Sequence, residues 1–279
     1  MFKGLYTVAT GMVAQQRKTD IITNNMANAN TPGYKSDQST IRSFPDMLMS
    51  AVKTNNEPTQ KGLALTGAQQ IGSLNTGVYL QETIADYTQG SIYSTGLTTD
   101  VALLDGNLPT DAASGNKGAI FFRLQNTDGS EAYTRNGNFT LDGNGSLVNP
   151  QGLYVLDANG QQIQLQNDNF KISETGVITD ENGNQVANLG ISFSANPDVL
   201  MKKDNGLFTT LNNEPLPSAY TVDGVSFTMQ QSYLEGSNVD SARAMTDLLT
   251  AYRAFEANQK VLQAYDKSME KAVTEIGKV

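Results

Sequence analysis

The segment Val239–Ile276, VDSARAMTDLLTAYRAFEANQKVLQAYDKSMEKAVTEI, is the longest helix-forming stretch of the chain. Its side chains repeat in three- and four-residue steps, which predicts a helix of about 57 Å with a narrow apolar stripe. Ser237 or Asn238 is expected to cap its N-terminus. A helix of this length cannot be covered by one compact core, so much of the stripe is expected to meet other helices. The stripe consists of Met245, Leu248, Tyr252, Phe255, Gln259, Leu262, Asp266, Met269, Val273 and Ile276.

The other end of the chain has a similar stripe, which predicts a helix from about Lys3 to Asn25. Its end is marked by asparagines that compete for backbone hydrogen bonds and by Thr31-Pro32-Gly33. The two terminal helices are expected to pair with each other or with copies from neighbouring subunits. An intramolecular helical hairpin is the simpler alternative. The N-terminal stripe consists of Leu5, Val8, Met12, Gln15, Thr19, Ile22 and Met26.

Between about Asp100 and Phe227 the apolar period changes to two, which is typical of short strands. Dipeptides such as Asp128-Gly129 and Asn159-Gly160 supply the positive φ angles that tight hairpins need. The predicted fold class is therefore α+β: the long N- and C-terminal helices form a coiled-coil-like assembly domain, and the middle of the chain forms an antiparallel all-β domain. We divide the chain into terminal helices (1–35 and 235–279), a linking segment (36–99) and a central β domain (100–234).

The linking segment contains two local predictions. A short amphipathic helix is expected around Phe44, Met47, Leu48 and Val52, because Pro45 and Asp46 suit a first helical turn. The polar stretch Lys53–Gly77 is interpreted as a late-ordering segment with a possible loose hairpin.

Composition excludes several classes of function. The net charge is −9 and no basic stripe is present, which argues against nucleic-acid binding. The chain has no histidine and no cysteine, so the commonest catalytic base, thiolate chemistry and cysteine-based metal sites are missing. The acidic turns at Asp142 and Asp180 fail the calcium-loop pattern at its twelfth position. We predict that the protein is not an enzyme and has no cofactor and no metal site.

The sequence predicts neither a secretory signal peptide nor a membrane span. The N-terminus lacks a sustained apolar core and a small-residue cleavage site, so it does not resemble a secretory signal peptide. The apolar clusters are too short to cross a bilayer, and no membrane insertion is expected. If the protein is exported, it is expected to leave by a route that cuts no signal.

Several motifs resemble those of bacterial flagellar rod and hook proteins. Gly4–Met12 (GLYTVATGM), Asn24–Asn28 (NNMAN) and Asn30–Lys35 (NTPGYK) resemble the N-terminal signature of that family. Tyr233–Val239 (YLEGSNV) and the stretch that follows resemble its C-terminal signature, and Thr134–Leu141 (TRNGNFTL) resembles its β domain. The motif residues that this resemblance singles out are Asn24, Asn25, Asn28, Asn30, Thr31, Pro32, Gly33, Tyr34, Leu234, Glu235, Ser237, Asn238 and Val239.

The resemblance implies a structural subunit of the flagellar axial shaft, most similar to the distal rod type. It implies export through the flagellar type III apparatus without signal cleavage, an extracytoplasmic place in the basal body, and assembly with its own copies and with other rod and hook proteins. A hook-type subunit or another tubular assembly, such as a phage tail or secretion needle, is an alternative. A cell-wall glycan-binding or glycan-cutting protein is a further one.

Overall fold

The computed structural model describes residues 2–51, 69–112, 115–203, 206–212 and 214–276. The chain contains two compact units: unit 1 is Met1–Thr23, Ser39–Thr83 and Met245–Val279, and unit 2 is Asn24–Gln38 and Ile84–Ala244. The predicted α+β class with antiparallel pairing is confirmed, with one long helix near each end. The three-part division drawn from the sequence stays a prediction, because it concerned assembly rather than contacts within one chain.

The two helices are α1 (Phe2–Ala27) and α2 (Ser241–Lys271), and a π-helical turn (Ala272–Ile276) follows α2. The predicted N-cap of α2 was wrong. Asp240 caps the helix, since its Oδ1 accepts hydrogen bonds from the backbone N–H groups of Ala242 and Arg243 at 3.0 and 3.1 Å. Ser237 and Asn238 are engaged elsewhere, so the helix begins two residues later than expected.

Nineteen strands lie between the helices in the described part of the chain. They are β1 (Asp37–Ser43), β2 (Met47–Ala51), β3 (Gln69–Leu74), β4 (Val78–Ala85), β5 (Ile92–Ser94), β6 (Val101–Asp105), β7 (Ala119–Gln125), β8 (Glu131–Thr134), β9 (Thr140–Leu141), β10 (Leu147–Val148), β11 (Tyr154–Val155), β12 (Lys171–Ile172), β13 (Val177–Thr179), β14 (Gln185–Asn188), β15 (Ile191–Ser194), β16 (Met201–Lys202), β17 (Phe208–Thr209), β18 (Phe227–Gln231) and β19 (Tyr233–Glu235). A short 3₁₀ turn, Pro197–Val199, precedes β16.

The short helix predicted around Phe44 and Met47 is wrong, because β2 occupies Met47–Ala51 and pairs antiparallel with β3. Phe44 precedes a proline and is thereby biased towards extended backbone. The short apolar run Met47–Met49 fits a strand as well as a helix, and pairing with Gln69–Leu74 gives the strand its hydrogen bonds. Val52, which belonged to the predicted helix, and residues 53–68 of the polar stretch predicted to order late lie outside the described residues.

The largest sheet belongs to unit 2 and has the strand order β16-β17-β8-β7-β11-β10-β9, with β15 also paired to β7. Strand β7 is its centre and buries side chains on both faces. Ile120, Phe122 and Leu124 join the main core, whereas Ala119 and Phe121 join a smaller aromatic core with Tyr133 and Phe208. The remaining sheets are β12-β13-β14 and the pairs β1-β4, β2-β3, β5-β19 and β6-β18.

Ser232 is the point where the chain changes its strand partner. Strand β18 pairs with β6, and β19 pairs with β5. Ser232 lies between them with a φ of 66°, which is unusual for a residue other than glycine. Its carbonyl oxygen accepts the N–H of Thr95 at 2.9 Å, and its own N–H donates to Asp100 O at 2.8 Å. These bonds hold the turn that brings Glu235 to the functional site.

Candidate functional site at a buried polar junction

The most unusual feature of unit 2 is a cluster of buried charges, which we call the junction: Lys35, Asp105, Arg135 and Glu235. They come from four separate parts of the chain. Lys35 is the last residue of the Asn30–Lys35 motif, Asp105 ends β6, Arg135 follows β8 and Glu235 ends β19. Lys35, Arg135 and Glu235 are only 2%, 3% and 1% exposed. Long charged side chains are almost never buried to this degree unless they are paired.

Glu235 is the centre of the junction. Its Oε1 accepts hydrogen bonds from Lys35 Nζ at 2.7 Å and from the backbone N–H of Gly90 at 2.9 Å. Its Oε2 accepts one from Arg135 Nε at 2.8 Å, and its backbone carbonyl accepts the N–H of Gly33 at 2.8 Å. One residue near the C-terminal end of unit 2 therefore binds the N-terminal segment, the linking segment and the β sheet together.

Arg135 extends the junction into the sheet. Its NH1 donates to Asp105 Oδ1 at 2.7 Å and to the carbonyl of Ile120 at 2.9 Å. Its NH2 donates to the carbonyl of Leu103 at 3.0 Å. With Lys35 also bonded to the carbonyl of Thr88 at 2.8 Å, the two cations and two carboxylates form a neutral and well-satisfied chain.

Opposite charges in the junction stabilise each other's ionised forms, although burial and the nearby Arg135 still lower the pKa of Lys35 on balance. Burial by itself would raise the pKa of Glu235, but Arg135 and Lys35 outweigh it and hold that pKa below its ordinary value. Burial would lower the pKa of Arg135, yet Glu235 and Asp105 raise it. Glu235 is therefore a buried carboxylate at neutral pH, and its two carboxylate oxygens accept hydrogen bonds from three donors within the protein. This arrangement suits a structural joint rather than acid–base catalysis.

A second polar cluster fixes the segment just before and after Lys35. Tyr34 donates its hydroxyl to Asn24 Oδ1 at 2.8 Å and to Asn25 Oδ1 at 3.1 Å. Asn25 Nδ2 donates to the backbone carbonyl of Asp37 at 2.8 Å, and Asn25 Oδ1 accepts the backbone N–H of Asp37 at 2.9 Å. Lys202, from β16, donates to Asp37 Oδ2 at 2.9 Å and lies 3.9 Å from the centre of the Tyr34 ring. The last turn of α1 is thereby tied to the segment that enters the junction.

Asn238 joins the C-terminal motif to two other segments. Its Oδ1 accepts the N–H of Ser36 at 2.7 Å, and its Nδ2 donates to the carbonyl of Asp86 at 2.7 Å. A side-chain amide presents an acceptor and donors side by side. Asn238 can therefore make the two kinds of hydrogen bond that the backbone of a neighbouring strand would make. Since α2 starts at Ser241, these bonds fix the backbone three residues before that helix.

Two glycines allow backbone segments to meet closely at the junction. Gly33 has a φ of 69°, and a Cβ at this position would collide with the backbone of Arg135 and Asn136. A Cβ on Gly90 would collide with the carbonyl of Gly236. The glycine in the Thr-Pro-Gly motif is thus required both by its backbone angle and by the space available.

The structure brings most of the motif residues predicted from the sequence into this region of unit 2. Asn25, Gly33, Tyr34, Leu234 and Glu235 are buried there. The half-buried motif residues are Asn28, Pro32, Ser237, Asn238 and Val239, and the exposed ones are Asn24, Asn30 and Thr31.

Sequence reasoning did not select Arg135, Asp105 or Lys202 as site residues. Arg135 lies within the Thr134–Leu141 motif, which is the one sequence signal that could have found it. Lys35 belongs to the quoted Asn30–Lys35 motif but was not selected either.

In unit 1 the two helices contact each other. A Cβ on Gly4 would collide with the hydroxyl of Tyr265, and a Cβ on Gly11 would lie 3.1 Å from Asn258 Nδ2. The later glycine of α1 faces the earlier residue of α2, so the two helices run antiparallel. Glycines seven residues apart permit this close approach because they lie on one face of α1.

The side of α2 that is least exposed differs from the predicted stripe by one residue in each heptad. It contains Ala244, Leu248, Ala251, Phe255, Asn258, Leu262, Tyr265, Met269 and Ala272. Four residues belong to both sets: Leu248, Phe255, Leu262 and Met269. The predicted stripe residues Met245, Tyr252 and Val273 are exposed.

The predicted stripe of α1 is partly covered. Ile22 is buried, and Leu5, Val8, Met12 and Met26 are half-buried. The side chain of Ile276 lies outside the described residues. Whether these residues form an assembly interface stays a prediction.

The pKa of Glu235 predicts an acid-sensitive junction. Because the folded-state pKa lies below the unfolded value, its contribution to stability is complete above about pH 4.5 and is lost as the pH falls through the folded pKa. Glu235→Gln mimics the protonated acid. We expect this variant to be less stable than the wild type at pH 6, and the difference to shrink as the pH is lowered below about 4. Urea unfolding at a series of pH values measures this, and a difference independent of pH would contradict it.

The described part of the chain contains no group of three or more histidine, cysteine, aspartate or glutamate side chains that could hold a metal ion. No helix there is long and apolar enough to cross a membrane. The junction is therefore the arrangement that most needs a functional explanation.

Three protein-family models match the chain. A flagella basal body rod protein model matches residues 5–35, a flagellar hook protein FlgE/F/G D1 domain model matches residues 117–180, and a flagellar basal body rod FlgEFG protein C-terminal model matches residues 230–275. These matches contain Lys35, Arg135 and Glu235 respectively, so each contributes one charge to the junction.

Full-length relatives agree with the family models. The chain is 43% identical to the flagellar hook-basal body complex protein FlhO of Bacillus subtilis over 279 residues, covering 100% of both chains. It is 32% identical to the flagellar basal-body rod protein FlgG of Agrobacterium fabrum, covering 95% of this chain and 96% of the relative. It is also 32% identical to FlgG of Bacillus subtilis, covering 98% of each.

Proposed function

The chain belongs to the family of bacterial flagellar basal-body rod and hook proteins, and we propose that it serves as a rod subunit whose junction transmits load between the terminal helices and the β sheet. The resemblance predicted from its motifs is thereby confirmed. The family is one of structural proteins of the flagellar basal body. The observation that carries the proposal is the Glu235 cluster. Through buried ion pairs it joins the end of the N-terminal motif and strand β19, which precedes α2, to the sheet.

Torque transmission requires joints that do not bend. A flexible linker between a helix and a β domain would absorb a twist, whereas a fully bonded buried network resists any rotation that separates its charges. At the junction, Lys35, Arg135 and Glu235 are each held by at least two bonds from different segments. Asn238 and Tyr34 hold the two segments on either side. This arrangement supports the transmission of load through the junction.

The remaining features of the proposal follow the predictions from the sequence. The terminal helices (1–35 and 235–279) form the inner, coiled-coil-like assembly domain of a helical homo-oligomer, which contacts other rod and hook proteins. The β domain (100–234) lies outside that tube, and segment 36–99 connects the two. The subunit reaches its extracytoplasmic position through the flagellar type III export apparatus without a cleaved signal peptide. No catalysis and no cofactor are part of this role.

A position closer to the hook is the second candidate. It is favoured by the match of residues 117–180 to the hook-type D1 domain and by the hook-basal body name of the FlhO relative. Antibody labelling of purified hook-basal bodies distinguishes the two positions. We expect labelling below the hook, and labelling along the hook would favour the second candidate. Absence of the chain from basal bodies would overturn the proposed function altogether.

A substitution in α2 tests the assembly role directly. Leu262 is half-buried, and its neighbour Gln263 is exposed. We expect Leu262→Asp to prevent incorporation into basal bodies and to abolish motility, because it places an unpaired charge in a helix contact. Gln263→Asp adds the same charge to the same helix and is expected to leave motility unchanged. Equal recovery of both variants in purified basal bodies would contradict the assembly role.

A further inference from the structure

The pairing of α1 with α2 inside the chain leaves an apolar row uncovered on each helix. The α1 row consists of Tyr6 and Val13, and the α2 row consists of Met245, Leu249 and Tyr252. Tyr6 is 66% exposed and Tyr252 is 56% exposed. Apolar side chains that form such rows are costly to leave in water and mark contact surfaces.

The α2 row adjoins the side of α2 that α1 of the same chain covers. Met245 lies three residues before Leu248, and Tyr252 lies three residues before Phe255, so each pair forms neighbours on the helix surface. Leu248 and Phe255 are half-buried on the covered side. A helix that docks on the α2 row would therefore extend an apolar contact that already exists.

The polarity of a helical assembly limits how another helix can dock on this row. Copies in such an assembly are related by rotation about one axis and translation along it, so all of them point the same way. Within the chain α1 and α2 run antiparallel, since Gly4 approaches Tyr265 and Gly11 approaches Asn258. Helix α1 of any neighbouring copy is then also antiparallel to this α2.

One antiparallel register brings the apolar residues of both rows together. Tyr6 and Val13 are seven residues apart, as are Met245 and Tyr252, so each pair lies on one side of its helix. When Val13 is level with Met245, Tyr6 is level with Tyr252, and Leu249 lies between the two contacts. A displacement of seven residues in either direction would leave only one apolar residue of each row opposite the other row.

Charged groups at both ends of this register are complementary. Arg17 lies four residues after Val13 and comes level with the start of α2, next to Asp240. Glu256 lies four residues after Tyr252 and comes level with the first turn of α1, which contains no acidic residue. A carboxylate is favourable there because the N-terminal end of a helix dipole is positive. Arg17, Asp240 and Glu256 are exposed, and none forms an ion pair within the residues that the structure describes.

We propose that the α1 row of one copy docks antiparallel on the α2 row of a second copy of this chain, with Val13 level with Met245. The inference rests on the proposed function, since it specifies how subunits of the rod contact each other. It assigns separate roles to two adjacent sides of α2. One side is covered by α1 of the same chain, and the other holds α1 of the neighbour.

The proposed register also sets a displacement between neighbouring copies. Gly11 lies level with Asn258 of its own chain, whereas it would lie level with Asp247 of the neighbour. This difference of eleven residues corresponds to about 16 Å along the helices. A contact between two different surfaces that includes such a displacement repeats as an open helix rather than as a closed ring. An open helix is the geometry that a rod requires.

Introduced cysteines test this register, because the chain contains no cysteine of its own. Two single-cysteine copies, Val13→Cys and Met245→Cys, are expressed together in place of the natural gene. One copy has a short tag, so that a disulfide between the two different copies gives a product of distinct mass. Mild oxidation is expected to give this mixed product. The second level pair, Tyr6→Cys with Tyr252→Cys, is expected to give it as well.

The matched controls exchange the partners. One control combines Tyr6→Cys with Met245→Cys, and the other combines Val13→Cys with Tyr252→Cys. In the proposed register each of these pairs is displaced by about 10 Å, beyond the reach of a disulfide, so about tenfold less mixed product is expected from them.

The outcomes separate the register from the proposed function. Mixed product from the level pairs that exceeds that of the exchanged pairs supports the register. Mixed product that is absent, or no greater than that of the exchanged pairs, overturns it. In that case recovery of the chain in basal bodies leaves the proposed function standing. Cross-linked chain that is absent from basal bodies would retain the register and overturn the proposed function.

A charge introduced into the α2 row provides a second measurement that does not depend on disulfide geometry. Tyr252→Asp is expected to lower the amount of the chain in basal bodies about tenfold, because the contact would bury an unpaired charge. Val261→Asp is the matched control, since Val261 is also exposed and lies nine residues later, on the opposite side of α2. Because both residues are exposed, folding of the single chain should not change. Normal amounts of Tyr252→Asp, or equal losses in the two variants, would overturn the role of this row.

Discussion

Glu235→Ala is expected to destabilise unit 2 by about 3–5 kcal/mol, the range typical of removing one partner from a buried ion pair. The loss is this large because the substitution leaves two cations, Lys35 and Arg135, buried without their shared carboxylate. Hydrogen bonds from Gly90 and Gly33 to this residue show that the backbone around it would also have to adjust. Chemical unfolding followed by tyrosine fluorescence measures the change, since the chain has no tryptophan.

Glu131→Ala is the matched control for this prediction. Glu131 also pairs with an arginine, Arg123, but their side chains are 23% and 14% exposed. Ion pairs that water reaches contribute little, and the variant also loses the hydrogen bond of 2.7 Å from the Tyr133 hydroxyl to Glu131, so a loss of about 1–2 kcal/mol is expected. Losses of similar size for the two variants would mean that burial does not set the strength of the Glu235 cluster. Basal bodies from cells with Glu235→Ala should also contain less of the chain than those with Glu131→Ala.

The sequence could predict the parts of the fold that depend on local rules. The turn dipeptides and the period of two predicted short strands from about Asp100 onward, and the first strand of that region, β6, begins at Val101. The helix between residues 3 and 25 was predicted to within two residues at either end. These features are set by neighbours along the chain, so a single sequence contains enough information.

The junction could not be derived in this way. Lys35 and Glu235 are 200 positions apart, and neither a lysine nor a glutamate in a motif indicates that it is buried. The family resemblance selected Glu235 without explaining it, and Arg135 was quoted only as part of a β-domain motif. The side of α2 that is buried could not be predicted for a related reason. A heptad pattern fixes the residues that the predicted stripe and the observed buried side share, such as Leu248 and Leu262. The remaining buried positions depend on where Gly4 and Gly11 leave space for Tyr265 and Asn258.

Gly33→Ala is expected to destabilise unit 2 by about 2–5 kcal/mol, because two costs add at one position. A side chain at the observed φ of 69° costs about 1–2 kcal/mol. The new Cβ would also collide with the backbone of Arg135 and Asn136. Overpacking of this kind costs about 1–3 kcal/mol even where side chains can move, and a backbone has less freedom to do so. The collision would push the N-terminal segment away from the residue that anchors Glu235.

Gly129→Ala separates the two costs. Gly129 has a φ of 82° in the same β unit, but a Cβ there would meet nothing within 4 Å. This control should lose only the conformational part, about 1–2 kcal/mol, and its basal bodies should contain normal amounts of the chain. Gly33→Ala should lose more stability and should also weaken the effect of a second substitution at Glu235, because both act on one network. Additive losses in the double variant would show that Gly33 supports the fold independently of the junction, and the transmission of load would then rest on the ion pairs alone.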